Sequence, residues 1–409
     1  MRLGYLLSQY PAISHTFLLH EVQGLRARGL HIETASINPP DRPLAQLPPN
    51  EAEEAATTRY IKTATAATAL LAILDTLFTH PGVLVRGIKA VFRIPSLTFR
   101  LRLRWFFYLV EAILVGRWMR QRKLTHLHVH FGGAVASVGM LASIAWRIPY
   151  SLTIHGPEEL LNAETYQLRH KLRQASFVIC VSDFCRSQLC QLTAADTWSR
   201  YVVVRLGVDP ILLTPADKPA HTPPLQLVCT GRLVPAKGHR ILLQALHLLQ
   251  QRNVMVHATL VGRGPERQLL EAYVKHHRLE TSVEFTSALS HAETLERVRH
   301  ADVLALASFA EGVPVALMEA MALGIPCVST TISGIPELIR DQQDGLLVAP
   351  SNVEALAGAI EALALDPGLR QQLAAAARRR IITDYNLPLN HERLAHLFNQ
   401  RASAAERRL

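Results

Sequence analysis

The sequence lacks the features of a secreted or disulfide-stabilised protein. It has five cysteines, which is an odd number, and no two of them form a Cys-x-x-Cys pair. Its first residues, MRLGYLLSQYP, do not contain the apolar segment of a signal peptide before the proline. We therefore expect a protein of the reduced cytoplasm without structural disulfides. The cysteines are Cys180, Cys185, Cys190, Cys229 and Cys327.

The sequence also lacks an Asp-x-Asp motif and an obvious membrane span. Asp-x-Asp offers the carboxylate oxygens that divalent cations prefer, so its absence predicts no metal site of that kind. The apolar run between Pro81 and Lys123 is broken by Glu111, well short of the roughly 20 residues that a bilayer requires. The alternating histidines of THLHVHF predict a β-strand with one exposed face. A zinc site at these histidines is the less favoured alternative.

The composition is that of a globular α/β protein with two domains. The chain has 409 residues, which is long for one hydrophobic core, and 49% of them are hydrophobic. Apolar runs of strand length alternate with helical patterns along the chain. This alternation predicts parallel sheets with right-handed crossovers.

Two glutamates eight positions apart are the most informative pattern in the chain. Glu311 precedes the turn Gly312-Val313-Pro314, Pro314 is predicted to be the first helical residue, and Glu319 lies in the helix that this turn opens. The unpaired amides of a helix N-terminus can bind phosphate, whereas carboxylates suit the hydroxyls of a sugar and a ribose. The pattern therefore predicts a nucleotide-sugar site. The alternative is a solvated pair of surface glutamates.

The segment GRLVPAKG places two cations after a predicted strand. Arg232 and Lys237 flank a turn between the strand LQLVCT and a helical pattern. An arginine fork and a lysine point charge at the carboxyl end of a parallel strand can neutralise a diphosphate. Charges in a solvated loop are the alternative for either residue alone.

The segment SLTIHGPEEL predicts a strand that ends at His155-Gly156. The glycine allows a ligand to approach the backbone, and the imidazole can donate a hydrogen bond to a sugar hydroxyl. A histidine that only satisfies the core or the surface is the alternative.

Together these motifs resemble those of the family 4 retaining glycosyltransferases, which have the GT-B fold. The resemblance implies transfer of a hexose from a UDP- or GDP-sugar to a saccharide acceptor, with retained configuration and with no metal or cofactor. It implies that His155 and Glu311 are the catalytic residues at the transferred sugar. The donor-binding residues that it implies are Arg232, Lys237, Gly312, Val313, Pro314, Leu317 and Glu319.

The N-terminal segment resembles a narrower branch, the exopolysaccharide and colanic-acid biosynthesis type. MRLGYLLS predicts a first strand, which a loop and a helix follow. The branch commonly has Ser-Glu-Thr-Phe where this chain has Ser14-His15-Thr16-Phe17. Ser14, His15 and Thr16 form a possible acceptor or donor loop. A plain helix cap by Ser14 or Thr16 is the alternative.

The expected architecture is GT-B, with two facing Rossmann-like domains, parallel sheets and an interdomain cleft. The N-terminal, acceptor-side domain is predicted over residues 1–207, and a linker over 208–224. The nucleotide-sugar-binding domain is predicted over 225–380. C-terminal helices over 381–409 are expected to cross back to the first domain.

The segment 81–123 carries most of the excess positive charge. Lys and Arg outnumber Asp and Glu by 43 to 33, and this segment has ten basic residues against the single acid Glu111. Such a segment predicts docking on the anionic inner face of a membrane, where each basic residue contributes about 1 kcal/mol. The alternative is a solvated helical face whose aromatics pack in the core. The interleaved aromatic residues include Trp105, Phe106, Phe107 and Trp118.

The expected partners are a nucleotide sugar and a saccharide or lipid-linked saccharide acceptor. No nucleic-acid motif accompanies the basic segment, so nucleic acid is not an expected partner. Two alternatives share the fold: a nucleotide-sugar epimerase or phosphorylase, and a non-catalytic membrane-binding protein. The combination of Arg232, Lys237, Glu311 and Glu319 disfavours the non-catalytic alternative.

Overall fold

The computed structural model describes residues 2–13, 16–95, 98–216, 223–287 and 289–406. Ser14 and His15 of the predicted N-terminal loop lie outside this description. The chain divides into two compact units. Unit 1 comprises Met1–Val181, Cys185–Val204 and His391–Leu409, and unit 2 comprises Ser182–Phe184 and Arg205–Asn390.

Each unit is built on a parallel sheet, as the alternating pattern predicts. The unit 1 sheet has the strand order β3-β2-β1-β4-β5-β6-β7, and the unit 2 sheet has the order β10-β9-β8-β11-β12-β13. Both orders are Rossmann-like, with the first strand of each unit inside the sheet. The strands of unit 1 are β1 (Arg2–Gln9), β2 (His31–Asn38), β3 (Arg59–Tyr60), β4 (His126–His130), β5 (Tyr150–Ile154), β6 (Phe177–Cys180) and β7 (Tyr201–Val203). Those of unit 2 are β8 (Leu225–Thr230), β9 (Val256–Val261), β10 (Val283–Thr286), β11 (Val303–Ala305), β12 (Cys327–Thr330) and β13 (Leu346–Val348).

Helices connect successive strands and cover the sheets. Several begin at a capping side chain, for example Thr65, Ser290 and Asn352. Up to the end of unit 1's second stretch, the helices are α1 (Thr16–Arg26), α2 (Pro49–Thr57), α3 (Ala66–Thr79), α4 (Pro81–Arg93), α5 (Phe99–Gln121), α6 (Ala134–Trp146), α7 (Pro157–Leu161), α8 (Leu168–Gln174) and α9 (Asp183–Leu192). The remaining helices are α10 (His239–Gln251), α11 (Arg267–His276), α12 (His291–His300), α13 (Val315–Ala322), α14 (Ile335–Leu338), α15 (Val353–Leu365), α16 (Pro367–Asp384) and α17 (Leu387–Glu406).

The borders of the units differ from the predicted domain borders. Residues 205–216 and 381–390 belong to unit 2. The Arg378 guanidinium explains part of this difference, because it donates both to a carbonyl of α13 and to carbonyls of the segment after residue 204. Of the C-terminal segment predicted to cross back to the first domain, only the part from His391 onward belongs to unit 1. There the Phe398 ring packs in the core against β1 and β4.

The histidines of THLHVHF do not form an exposed strand face, so that prediction is wrong. His126, His128 and His130 in β4 are all fully buried. β4 lies inside a parallel sheet, and such strands are covered on both faces. On one side the Phe398 ring of α17 lies 4.9 Å from the His128 ring.

The basic segment 81–123 forms α4 and α5, and its aromatic residues divide between core and surface. Trp105 and Trp118 are buried, which contradicts their expected place on a membrane-facing surface. They pack in the unit 1 core because α5 crosses α4 and α6 with one face inward. Phe92, Phe99 and Phe107 are exposed instead.

Among the described residues, no single helix is long and apolar enough to cross a bilayer. The pair Ala66–Thr79 and Pro81–Arg93 reaches the required length and composition only when the two helices are taken together, and the chain bends by 112° between them.

Candidate active site

In unit 2, the loops that follow β8, β9 and β11 approach one another closely. A side chain at Gly262, whose φ is 155°, would place its Cβ 1.9 Å from the carbonyl oxygen of Gly231. At Gly238, whose φ is 62°, the Cβ would lie 2.0 Å from the carbonyl oxygen of Ala307. Only glycine fits these two positions. The glycines therefore bring the predicted diphosphate and sugar segments together at the carboxyl edge of the sheet.

The structure pairs Lys237 with Glu311 at this edge. Lys237 ends a short 3-10 turn, and its ammonium donates to Oε1 of Glu311. The hydroxyl of Ser308 donates to the same oxygen at 2.9 Å. The pair is only partly exposed, at 23% for the lysine side chain and 10% for the glutamate. These two hydrogen bonds hold Glu311 in one orientation. The Lys237 ammonium retains further N–H donors for a ligand. Arg232, which lies earlier in the same loop, is exposed.

The helix after Glu311 begins with an open N-terminus. Pro314 is the N-cap residue and α13 begins at Val315, one position later than the sequence predicts, with no side chain capping the helix. Such an end can bind an anion. Gly312 and Val313 precede it in the same turn. Leu317 is fully buried and its amide donates to the Pro314 carbonyl, so its side chain belongs to the core.

Glu319 has an imidazole partner that the sequence pattern does not reveal. Nε2 of His291 lies 2.7 Å from Oε1 of Glu319, and the glutamate side chain is 14% exposed. The hydrogen bond with Glu319 raises the pKa of His291. His291 opens α12, far from the glutamate in sequence, and α12 packs beside α13.

In unit 1, His155 follows β5 directly and is half-buried among aromatic rings. The rings of Phe131 and Phe17 lie 4.6 and 5.1 Å from it. Its Nε2 lies 3.0 Å from Nδ1 of His130. Phe17 is in the first turn of α1, which begins at Thr16. The start of α1 and His155 are therefore neighbours.

Glu159 organises the backbone around His155. Its buried carboxylate accepts hydrogen bonds from the amides of His155 at 2.7 Å, Gly156 at 2.9 Å and Gly132. Buried Lys171 donates to the carbonyl oxygens of Gly132 and of the next residue, both at 2.7 Å. Burial raises the pKa of Glu159 and lowers the pKa of Lys171 to about 7. The available sequence signal was an acidic residue in the first turn after His-Gly-Pro, a common capping pattern.

A second carboxylate lies behind His130. Oε1 of Glu21 is 3.2 Å from Nε2 of His130, and the Tyr5 hydroxyl donates to the same oxygen at 3.0 Å. Burial opposes ionisation of Glu21, but the His130 imidazole, His391 and the Tyr5 hydroxyl together outweigh it and lower the Glu21 pKa. Glu21, His130 and His155 thus form a continuous polar row from the core to the end of β5.

Potential metal-ligand atoms of Glu21, His128 and His130 lie within 4.8 Å of one another. The two ring nitrogens of His128 are already 2.8 Å from the Ser151 hydroxyl and 2.9 Å from the Thr153 hydroxyl. One nitrogen donates and the other accepts, so His128 has no free lone pair for a metal. The group fits a hydrogen-bonded core network better than a metal centre.

Comparison with known proteins covers both units. Residues 16–212 match the family model described as Glycosyltransferase Family 4, and residues 214–380 match Glycosyl transferases group 1. The Escherichia coli protein WcaL, which is named for a glycosyltransferase of colanic acid biosynthesis, is 27% identical over 97% of this chain and 99% of its own length. The amylovoran biosynthesis glycosyltransferase AmsK of Erwinia amylovora is 26% identical over 98% of this chain and all of its own.

Solved structures with the same fold include two full-length matches. HepE of Anabaena, in complex with UDP, superposes with a TM-score of 0.72 at 18% identity and covers 98% of this chain and 100% of its own. Sucrose-phosphate synthase from Thermosynechococcus elongatus superposes with a TM-score of 0.75 at 19% identity, and the match covers 99% of this chain and 100% of its own. The two family matches account for both parallel-sheet units, and the chain is a member of glycosyltransferase family 4 with the GT-B fold.

Proposed function

We propose that the chain is a retaining hexosyltransferase of exopolysaccharide biosynthesis that uses a UDP- or GDP-sugar and a lipid-linked saccharide acceptor. The observation that carries the donor assignment is the Lys237–Glu311 pair directly before the open N-terminus of α13. The names of WcaL and AmsK support exopolysaccharide biosynthesis. HepE has been solved with UDP and with UDP-glucose, which supports a uridine nucleotide.

In the proposed reaction, the residues of unit 2 stabilise the departing diphosphate. Arg232, Lys237 and the amides at the start of α13 carry its charge. The bond from the anomeric carbon to the diphosphate breaks, and the acceptor oxygen bonds to the same face of that carbon. The acceptor proton passes to the departing phosphate oxygen. His155 and Glu311 hold the sugar, Glu319 holds the ribose, and this scheme uses no metal.

A thermal-shift panel of UDP-, GDP- and ADP-sugars tests the donor class. A ligand at 100 times its Kd adds about 2.7 kcal/mol to the free energy of unfolding, because it binds only the folded protein. We expect one nucleotide series to raise Tm and the others to leave it unchanged. Turnover of that donor without any acceptor, to an epimeric nucleotide sugar, would instead identify an epimerase.

The two glutamates should have separable effects. Glu319→Ala should weaken binding of free UDP or GDP by about 10- to 100-fold, because a charge-assisted hydrogen bond to the ribose is lost. Glu311→Ala should leave binding of the free nucleotide within about twofold and lower kcat with the sugar donor. Calorimetry with the free nucleotide and steady-state kinetics measure the two effects.

The exposed glutamate of unit 2 at position 280 provides the matched control. Glu280→Ala should change neither the nucleotide Kd nor kcat. Equal weakening of free-nucleotide binding by Glu311→Ala and Glu319→Ala would contradict the division of roles between sugar and ribose.

We further propose that α4 and α5 dock unit 1 on an anionic membrane. The exposed rings of Phe99 and Phe107 lie on the same helix as Arg100 and Arg104, which are also exposed. Replacing Arg100, Arg102 and Arg104 with glutamine should weaken cosedimentation with anionic liposomes by up to about 100-fold at low salt. Raising the salt to physiological strength should weaken binding of the unaltered protein as well, because exposed charges are screened.

The control for this experiment removes three charges from exposed positions of unit 2, in the variant Lys275→Gln/Arg278→Gln/Arg379→Gln. It should cosediment like the unaltered protein. Docking through α5 is excluded if the unaltered protein does not bind anionic liposomes at low salt. It is also excluded if the two triple variants lose liposome binding equally.

A further inference from the structure

A basic pocket lies at the amino-terminal edge of the unit 1 sheet. It has a volume of about 770 Å³ and is lined by residues of α4, α6 and α8 and by the start of β5 at Tyr150. His155 follows the opposite end of this five-residue strand, which corresponds to a separation of about 16 Å along β5. The basic pocket is therefore distinct from the candidate active site.

The lining of the basic pocket is positively charged throughout. Seven arginine and lysine side chains line it, and no aspartate or glutamate does. Three of the seven donate to backbone carbonyls, and one of them is Arg401, whose Nη2 donates to the Ser199 carbonyl at 3.4 Å. Nε of Arg86 donates to the Ala145 carbonyl at 2.8 Å, and Nη1 of Arg200 donates to the Arg173 carbonyl at 3.0 Å. The bonds from Arg86 and Arg200 satisfy carbonyl groups near the ends of α6 and α8, as basic side chains commonly do.

Helix capping does not account for the other cations. Within the described part of the chain, Lys89, Arg93, Arg147 and Arg173 form no ion pair with a carboxylate. Burial, and then the charge of Arg147, lower the pKa of Arg86. Like charges that are held together destabilise the folded chain, and a bound anion would offset their repulsion.

An exposed apolar stripe runs along α4 beside the basic pocket. On α4, Val85, Ile88 and Phe92 form an exposed stripe, each between 42% and 57% exposed. The residue that follows each of them lines the pocket, namely Arg86, Lys89 and Arg93. One face of α4 is therefore apolar while the adjacent face is basic. Part of the pocket wall is apolar too, through Ile94, Met140 and Ile144.

We propose that the basic pocket binds the phosphate of an anionic phospholipid, whose acyl chains lie against the apolar stripe of α4. Guanidinium groups match the oxygens of a phosphate, and several converge here without a competing carboxylate. A soluble phosphate offers the same anionic chemistry but would leave the exposed part of the stripe in contact with water. This inference rests on the proposed membrane docking of unit 1 and assigns it a lipid-binding site, and it does not depend on how the donor is assigned.

The test compares Arg147→Gln/Arg173→Gln with a control that removes two charges elsewhere in unit 1, Arg59→Gln/Lys62→Gln. All four side chains are exposed. Binding to phosphatidylglycerol–phosphatidylcholine vesicles should weaken by about 30-fold in the pocket variant, and by less than about threefold in the control. Lys89→Gln/Arg93→Gln, also at exposed positions, should reproduce the loss. Arg147→Lys/Arg173→Lys should restore part of the binding.

Soluble pyrophosphate and a single-stranded oligonucleotide are the two comparison probes. If pyrophosphate binds at micromolar concentration through Arg147 and Arg173 while vesicle binding ignores them, the ligand is a soluble phosphate and the lipid assignment is wrong. The lipid assignment would also be wrong if the oligonucleotide bound more tightly than the vesicles through the same residues. It would be wrong as well if the control variant lost as much vesicle binding as the pocket variant. Each variant should keep the Tm increase produced by the donor nucleotide, so that failure here and failure of the donor assignment remain distinguishable.

Discussion

Lys237→Ala should lower kcat/KM by about 30- to 1000-fold, which corresponds to about 2–4 kcal/mol of transition-state stabilisation. The ammonium is held by Glu311 directly before the start of α13. A cation fixed in this way can stabilise the developing charge of a diphosphate without reorganising during the reaction. Arg232→Ala should lower kcat/KM within the same range. Steady-state kinetics with the donor found by thermal shift measure both variants.

Lys275 is the matched control for Lys237, because it is an exposed lysine of the same unit in α11. Lys275→Ala should leave kcat/KM within about twofold. Lys237→Ala also leaves Glu311 without its partner, so Glu311→Gln/Lys237→Ala separates loss of the cation from the effect of an unpaired carboxylate. Wild-type turnover in Lys237→Ala, or activity of the parent that EDTA abolishes, would contradict the assigned role.

Glu159→Ala should lower the free energy of unfolding of unit 1 by about 3 kcal/mol. Its carboxylate accepts from three backbone amides at the ends of β4 and β5, and each buried donor left without an acceptor costs about 1–3 kcal/mol. The cost lies at the lower end of that range because His155 and Gly156 are only half-buried and water can replace part of the lost hydrogen bonding. Activity should fall as well, since the backbone that carries His155 loses its fixed position.

Tryptophan fluorescence measures this effect selectively. All four tryptophans, at positions 105, 118, 146 and 198, lie in unit 1, so their fluorescence during urea unfolding follows that unit. The neighbouring Glu158 is exposed, and Glu158→Ala should change stability by less than about 0.5 kcal/mol. Equal stability of the Glu158→Ala and Glu159→Ala variants would show that the carboxylate does not organise these loops.

Local patterns predicted the features that depend on neighbouring residues in the chain. The alternation of strand and helix predicted two parallel sheets, because apolar spacing follows from which side of an element is buried. The segment from Glu311 to Glu319 predicted a turn and a helix start, which the structure confirms within one residue at Pro314.

Features that depend on residues far apart in the sequence required the tertiary structure. Histidines at alternate positions predicted an exposed strand face, yet α17, which returns from the far end of the chain, covers His128. Trp105 and Phe107 lie two positions apart on one helix, and only packing against α4 and α6 decides that the first is buried and the second exposed.

The site shows the same division. The sequence by itself determined that Lys237, Glu311 and Glu319 have the residue types and the local spacing for a nucleotide-sugar site. Only the tertiary structure decided that Lys237 pairs with Glu311, that His291 reaches Glu319, and that Glu159 fixes the backbone beside His155. The physical reason is that a hydrogen bond is specified by distance in space, and residues 28 or 74 positions apart become neighbours only when loops gather at the carboxyl edge of a sheet.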